Sequence, residues 1–151
     1  MRKSLTLWLI AWLGSAALAT DLCDVETARQ GGIPVVLVVD KDPMIRHVIG
    51  LTLAARKYFP VPAAHSAEAE AILQRIGPVD AALIGKNLRG PTGPEDGQAL
   101  AERLIRDLKI PCALMSGGYS TTSAVPGYVT LPRPFRPDTF DEVLRALLQR
   151  P

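Results

Sequence analysis

The chain has 151 residues, 48% of them hydrophobic, with 17 basic and 15 acidic side chains. That length suits one domain with a single sizeable core. Its charges are scattered without blocks, which leaves no basic stripe of the kind a nucleic-acid surface needs. Two cysteines, Cys23 and Cys112, stand too far apart to match a metal or redox spacing, and Cys112 lies in the apolar run I-P-C-A-L-M, where it reads as a small core residue.

Arg2 and Lys3 precede a nearly uninterrupted apolar run, Leu5 to Ala19, that ends in Ala17-Leu18-Ala19. A basic start, an apolar stretch and small residues at a cleavage point read as a signal-peptide-like leader over 1–19. The run is shorter than the roughly 20 residues of a membrane-spanning helix. A start placed too early, with true initiation at Leu22 or Val25, is the competing reading. Residues 20–32 read as a polar linker ending in Gly31-Gly32, and 33–151 as the folded domain. Both tryptophans, Trp8 and Trp12, fall in the leader.

From Ile33 onward strands and helices alternate. Val35 to Val39 is an apolar run without polar interruption, the pattern of a central strand buried on both faces. Asp40, Lys41, Asp42 and Pro43 follow at once, with Asp42 as helix N-cap and Pro43 as the first helical residue. Ile45, Val48, Ile49, Thr52 and Leu53 then recur with helical period. Phe59 to Ala64, interrupted by Pro60 and Pro62, suits an edge strand. Ser66 caps the next helix, whose buried stripe is Ala69, Ile72, Leu73 and Ile76 before Gly77-Pro78 stop it. Val79 to Ile84 is a third strand, Gly85 to Asp96 a loop in which Gly90 to Pro94 forms an extended turn. Leu100, Leu104, Ile105 and Leu108 mark a third helix. Pro111 to Met115 is the fourth strand and Val125 to Leu131 the fifth. Phe140, Val143, Leu144, Leu147 and Leu148 stripe the last helix.

This alternation predicts an α/β, flavodoxin-like, doubly wound sheet of five parallel strands in the order 2-1-3-4-5. Between strands four and five, the stretch Gly117 to Pro126 is a poor helix former, so the fourth helix is expected to be shortened or absent. In such sheets ligands bind at the carboxyl ends of the strands. There the loops after strands one, three and four converge with the turn Pro132-Arg133-Pro134-Phe135.

Four segments, V-L-V-V-D-K-D-P, A-L-I-G-K-N-L, A-L-M-S-G-G-Y-S and L-P-R-P-F-R-P-D-T-F, resemble in order the signature segments of receiver domains of two-component response regulators. The likeness spans Ile33 to Arg150. It implies phosphoryl transfer by a fixed set: paired acids after strand one for Mg²⁺, an aspartate phosphoacceptor ending strand three, a Ser/Thr after strand four and a lysine before Pro-Phe. An acyl phosphate forms when a carboxylate attacks while a hard cation and an ammonium neutralise the phosphoryl oxygens.

Position by position, the implied site is largely dismantled. Asp40 matches the first acid, but Lys41 stands where the direct metal ligand belongs, with Asp42 one residue further on. Gly85 stands at the phosphoacceptor position. Ser116 matches the switch hydroxyl, and Arg133 replaces the lysine, exchanging a compact ammonium for a planar fork. Thr130 stands where the family has an aromatic switch. The resemblance also predicts a cis Arg133-Pro134 peptide.

The degenerate pocket is therefore Asp40, Lys41, Asp42, Gly85, Ser116 and Arg133, with no phosphoacceptor, resident metal, cofactor or catalytic residue expected. Lys41 or Arg133 pairs with Asp40 in a permanent internal bridge, or Asp40 only orients its loop while Lys41 points to water. The N–H groups of Gly117-Gly118 with Arg133 offer an anion or nucleotide site as another reading. His47, beside Arg46 and away from the apolar stripe of its helix, reads as exposed rather than catalytic, His65 ahead of the Ser66 cap has no evident partner, and Ser116 lacks the G-x-S-x-G elbow of a hydrolase. The expected function is a stand-alone receiver acting by protein contact, with a histidine kinase or another signalling protein as partner and no nucleic acid. Cytoplasmic residence is preferred because receivers meet kinases there. Export, or membrane attachment through a retained leader, is the alternative, as is an unorthodox phosphorylated residue.

Overall fold

Why the sheet forms where it does follows from the run Val35–Val39, all five of whose side chains are buried. Strand alternation sends Val35, Leu37 and Val39 to one face and Val36 and Val38 to the other, so this strand needs apolar cover on both sides. The computed structural model of the chain describes residues 22–116 and 128–148. Its elements run α1 (Leu22–Gln30), β1 (Val35–Val39), α2 (Pro43–Ala55), β2 (Phe59–Ala63), α3 (Ser66–Ile76), β3 (Ala81–Gly85), β4 (Asn87–Gly90), β5 (Gly93–Asp96), α4 (Gly97–Leu108), β6 (Cys112–Ser116), β7 (Tyr128–Pro132) and α5 (Pro137–Leu148).

The main sheet has the order β2-β1-β3-β6-β7 and every pairing in it is parallel. Numbered along the chain, that is the expected 2-1-3-4-5. In register, Leu37 lies opposite Val61 on one side and Ala82 on the other. β2 is an edge strand, as Pro60 and Pro62 require, because neither can donate to a second neighbour. One layer is built by α1, α3 and α4 against Leu37, Ile84 and Leu114. The other is built by α2 and α5 against Val38, Leu83 and Met115. Arg56, at the C-cap of α2, pairs with Asp141 of α5 and lies 5.4 Å over the Phe140 ring, fastening the second layer.

Several expectations need correction. The segment 20–32, expected as a linker, holds α1, whose Val25 and Ala28 are wholly buried in the first layer. Arg29 Nη1 and Nη2 each donate at 2.8 Å, to the carbonyls of Ile76 and Pro78, so α1 satisfies acceptors left open at the end of α3. The segment from 85 to 96, expected as a loop, contains an antiparallel hairpin, β4 with β5, closed between Gly90 and Gly93. Val48 and Leu108 are exposed, not buried. In α2 the small residues Gly50 and Ala54 face the sheet beside Ile49 and Leu53, which turns Val48 outward. The cap of α3 is His65 rather than Ser66, and its Nδ1 accepts from the Glu68 N–H at 3.3 Å. The shortened fourth helix falls outside the described residues.

Candidate functional site

The carboxyl edge of the sheet is assembled around Asp40, which directly follows β1. It is the one charged side chain in the buried class among the described residues, at 2% exposure. Burying a carboxylate requires that its oxygens be matched. Oδ1 accepts from the Asp42 N–H at 2.9 Å, and Oδ2 accepts from Arg133 Nη2 at 2.6 Å. Its main-chain carbonyl accepts from Arg46 Nη1 at 2.5 Å. Two arginines from different elements thus converge on one aspartate. The fork of Arg133 reaches it from the end of β7, and Arg133 Nε is buried with no hydrogen-bond partner among the described residues. The Arg133-Pro134 peptide is cis, as the resemblance predicted.

The remaining positions are placed as follows. Lys41 is exposed and makes no part of the Asp40 cluster, so of the two expected partners Arg133 forms the bridge. Asp42 caps α2, accepting from the Met44 N–H at 2.9 Å, with Pro43 opening the helix. Gly85 ends β3, buried, next to Asp40 and Arg133. Ser116 ends β6, its main chain opposite Pro132 of β7. Gly117 and Gly118, the amides of the expected anion site, lie outside the described residues.

Sequence reasoning missed Arg46, whose role depends on the rotation of the first turn of α2 and has no motif to announce it. It also missed the hairpin, although two glycines separated by Pro91-Thr92 are a legible hairpin signal. The hairpin stands directly after Gly85 and is tied down at both ends. Leu88 is buried, and Glu95 Oε1 accepts at 3.1 Å from the Ser66 N–H at the start of α3, where a negative charge is favoured. Asp96 caps α4 through the Gln98 N–H at 3.0 Å. The Gly97 N–H donates to the Lys86 carbonyl at 2.7 Å, drawing α4 against the end of β3.

A divalent cation of the kind receivers use does not fit this set. Both Asp40 oxygens are engaged, one by a guanidinium, Asp42 is used as a cap, and Gly85 offers no side-chain ligand. Among the described residues, no group of three or more His, Cys, Asp or Glu is arranged to hold a metal ion.

No family profile matches the sequence, and no curated protein matches it. Solved structures do. The receiver domain of the hybrid histidine kinase CckA is 27% identical, with a TM-score of 0.61, over 76% of this chain and 99% of that one. A response regulator receiver protein from Sinorhizobium medicae WSM419 is 21% identical at a TM-score of 0.65, over 77% and 94%. The receiver domain of NtrX from Brucella abortus is 23% identical at 0.66, over 77% and 99%. Strand order, parallel pairing and two helical layers make this a flavodoxin-like α/β domain. Within that class, the chain has the fold of a response-regulator receiver domain.

Proposed function

We propose that this is an atypical receiver that works through protein contact, without accepting phosphate on an aspartate. The observation behind the reading is the Asp40–Arg133 ion pair beside Gly85. In a phosphorylatable receiver the corresponding space holds a metal, an acceptor carboxylate and a lysine, as the resemblance implies. Here an internal cation neutralises the acid that matches the first position of the resemblance, and no side chain exists at the acceptor position. The pocket then has one electrostatic state where a switch needs two.

Such a domain presents a fixed surface to a partner. A histidine kinase or another signalling protein is the partner class, bound in competition with a phosphorylatable regulator, and CckA illustrates a receiver fold housed in a kinase. Catalysis forms no part of this reading. We place the domain in the cytoplasm, where such partners act. Among the described residues no helix is long and apolar enough to cross a membrane. The leader-like run from Leu5 to Ala19 favours a second reading, an exported α/β domain with receiver ancestry only.

Two mass measurements separate these. Exposure of the purified chain to a small phosphodonor with Mg²⁺ is expected to leave its intact mass unchanged, and a gain of one phosphate would end the non-phosphorylated reading. Intact mass of the natively expressed chain, fraction by fraction, is expected to place it in the cytoplasm. A chain beginning near Thr20 outside the cytoplasm would replace signalling with export.

A further inference from the structure

Gly85 has a second property besides lacking an acceptor group. A Cβ built there would stand 2.7 Å from Asp40 Oδ2, 3.2 Å from its Cγ and 3.3 Å from Arg133 Nη2. Contact at 2.7 Å is well inside the separation at which a carbon and an oxygen attract. An aspartate side chain ordinarily swings away from such a neighbour. This one is held on Oδ1 by the Asp42 N–H and on Oδ2 by Arg133, inside a buried pocket. The strand cannot retreat in the other direction either. A Cβ on Gly97 would overlap the Gly85 carbonyl oxygen and stand 2.8 Å from its carbon, so the main chains of β3 and α4 are already in closest approach.

We infer that Gly85 is a positioning residue of the Asp40–Arg133 pair, and that the pair and any side chain at position 85 are alternative occupants of one space. The lost acceptor and the lysine-to-arginine exchange are then one change rather than two. Arginine at 133 draws the Asp40 carboxylate across the face of residue 85, and only glycine tolerates it there. An aspartate restored at 85 alone meets a guanidinium and a carboxylate, not a vacant acceptor site. This deepens the function proposed above and rests on it for its meaning in signalling, whereas the coupling itself is measured independently.

The test is Gly85→Ala in three backgrounds, wild type, Arg133→Lys and Arg133→Ala, read by thermal midpoint and by the NMR signal of the Arg133 Nε–H. In wild type the replacement is expected to lower the midpoint by about 4 °C or more. It should also shift or erase the Arg133 signal while those of Arg29 and Arg103 stay in place. With Arg133→Ala, Asp40 keeps only its Oδ1 hydrogen bond and Oδ2 can move aside, so the same replacement should lower the midpoint by less than half as much. Arg133→Lys, whose ammonium lacks the fork pressed toward residue 85, should fall between. Equal losses in the three backgrounds, or an unmoved Arg133 signal, would overturn the inference. Should Arg133→Ala fail to fold, the lysine background and the Arg133 signal in Gly85→Ala alone decide it. A phosphate-accepting wild type would sink the proposed function and leave this coupling standing, so the two failures are distinguishable.

Discussion

Two arginine–carboxylate pairs of nearly equal length sit in very different surroundings. Arg133 and Asp40 meet at 2.6 Å with side-chain exposures of 30% and 3%, at the carboxyl edge of the sheet. Arg103 and Glu70 meet at 2.8 Å with 46% exposure each, lining a cleft of about 320 Å³ between α3 and α4. Geometry alone would rank them together. Burial separates them, because an exposed pair exchanges water for a partner of similar worth, whereas a buried carboxylate deprived of its partner has nothing to replace it. The first pair therefore constrains the fold, and the second decorates it.

The sharpest way to break this contrast is to remove one arginine at a time. Arg133→Ala is expected to destabilise the domain by about 3 kcal/mol or more, read from the urea midpoint, since it leaves Asp40 buried and uncompensated. A loss below about 1 kcal/mol would mean that water reaches Asp40 and that the two pairs are alike. Glu70→Ala, by the same assay, should cost less than about 1 kcal/mol. In 1 M salt, where screening acts over roughly 3 Å, that small cost should vanish while the cost of Arg133→Ala persists.

The two cysteines repeat the contrast on a smaller scale. Cys23 is exposed, whereas Cys112 is buried in β6, its thiol donating to the Ile110 carbonyl at 3.3 Å. Desolvation pushes the Cys112 pKa from 9.0 up to about 12. The folded state holds this proton more tightly than the unfolded chain. The resulting stability is fully present below pH 9 and is lost as pH climbs from there toward 12. At pH 8 a thiol reagent should label Cys23 readily and reach Cys112 only on unfolding, and equal labelling would show an open core.

The apolar period made the scaffold legible. Val35–Val39, with its polar cluster and proline, marks β1, the cap of α2 and the carboxyl edge by residue type alone. The stripes of α3 and α5 are legible because Ala69, Ile72, Leu73 and Ile76, and likewise Phe140, Leu144 and Leu147, face a core with no competing apolar side. The sequence was less informative where small residues decide the face. Gly50 and Ala54 carry almost no hydrophobic signal, yet they let α2 approach the sheet and leave Val48 outside. α1 carries little signal for a related reason, since only Val25 and Ala28 of its nine residues are buried. At the site, residue types named the positions, but the choice between Lys41 and Arg133 as partner of Asp40 depended on chain direction after β1, which composition does not encode. Arg46 and the closeness of Gly97 to Gly85 are purely tertiary.

The N-terminal helix sets a limit on trimming. Only Thr20 and Asp21 separate Ala19, the last residue of the leader-like run, from Leu22, where α1 begins. Helix α1 is not an appendage, because Val25 and Ala28 are wholly buried and Arg29 completes the end of α3. A peptidase cutting inside α1 would need that segment opened, and opening it uncovers part of the first apolar layer. A cut ahead of Leu22 leaves that cover in place, so a chain trimmed of the leader-like run would keep the whole of the first layer.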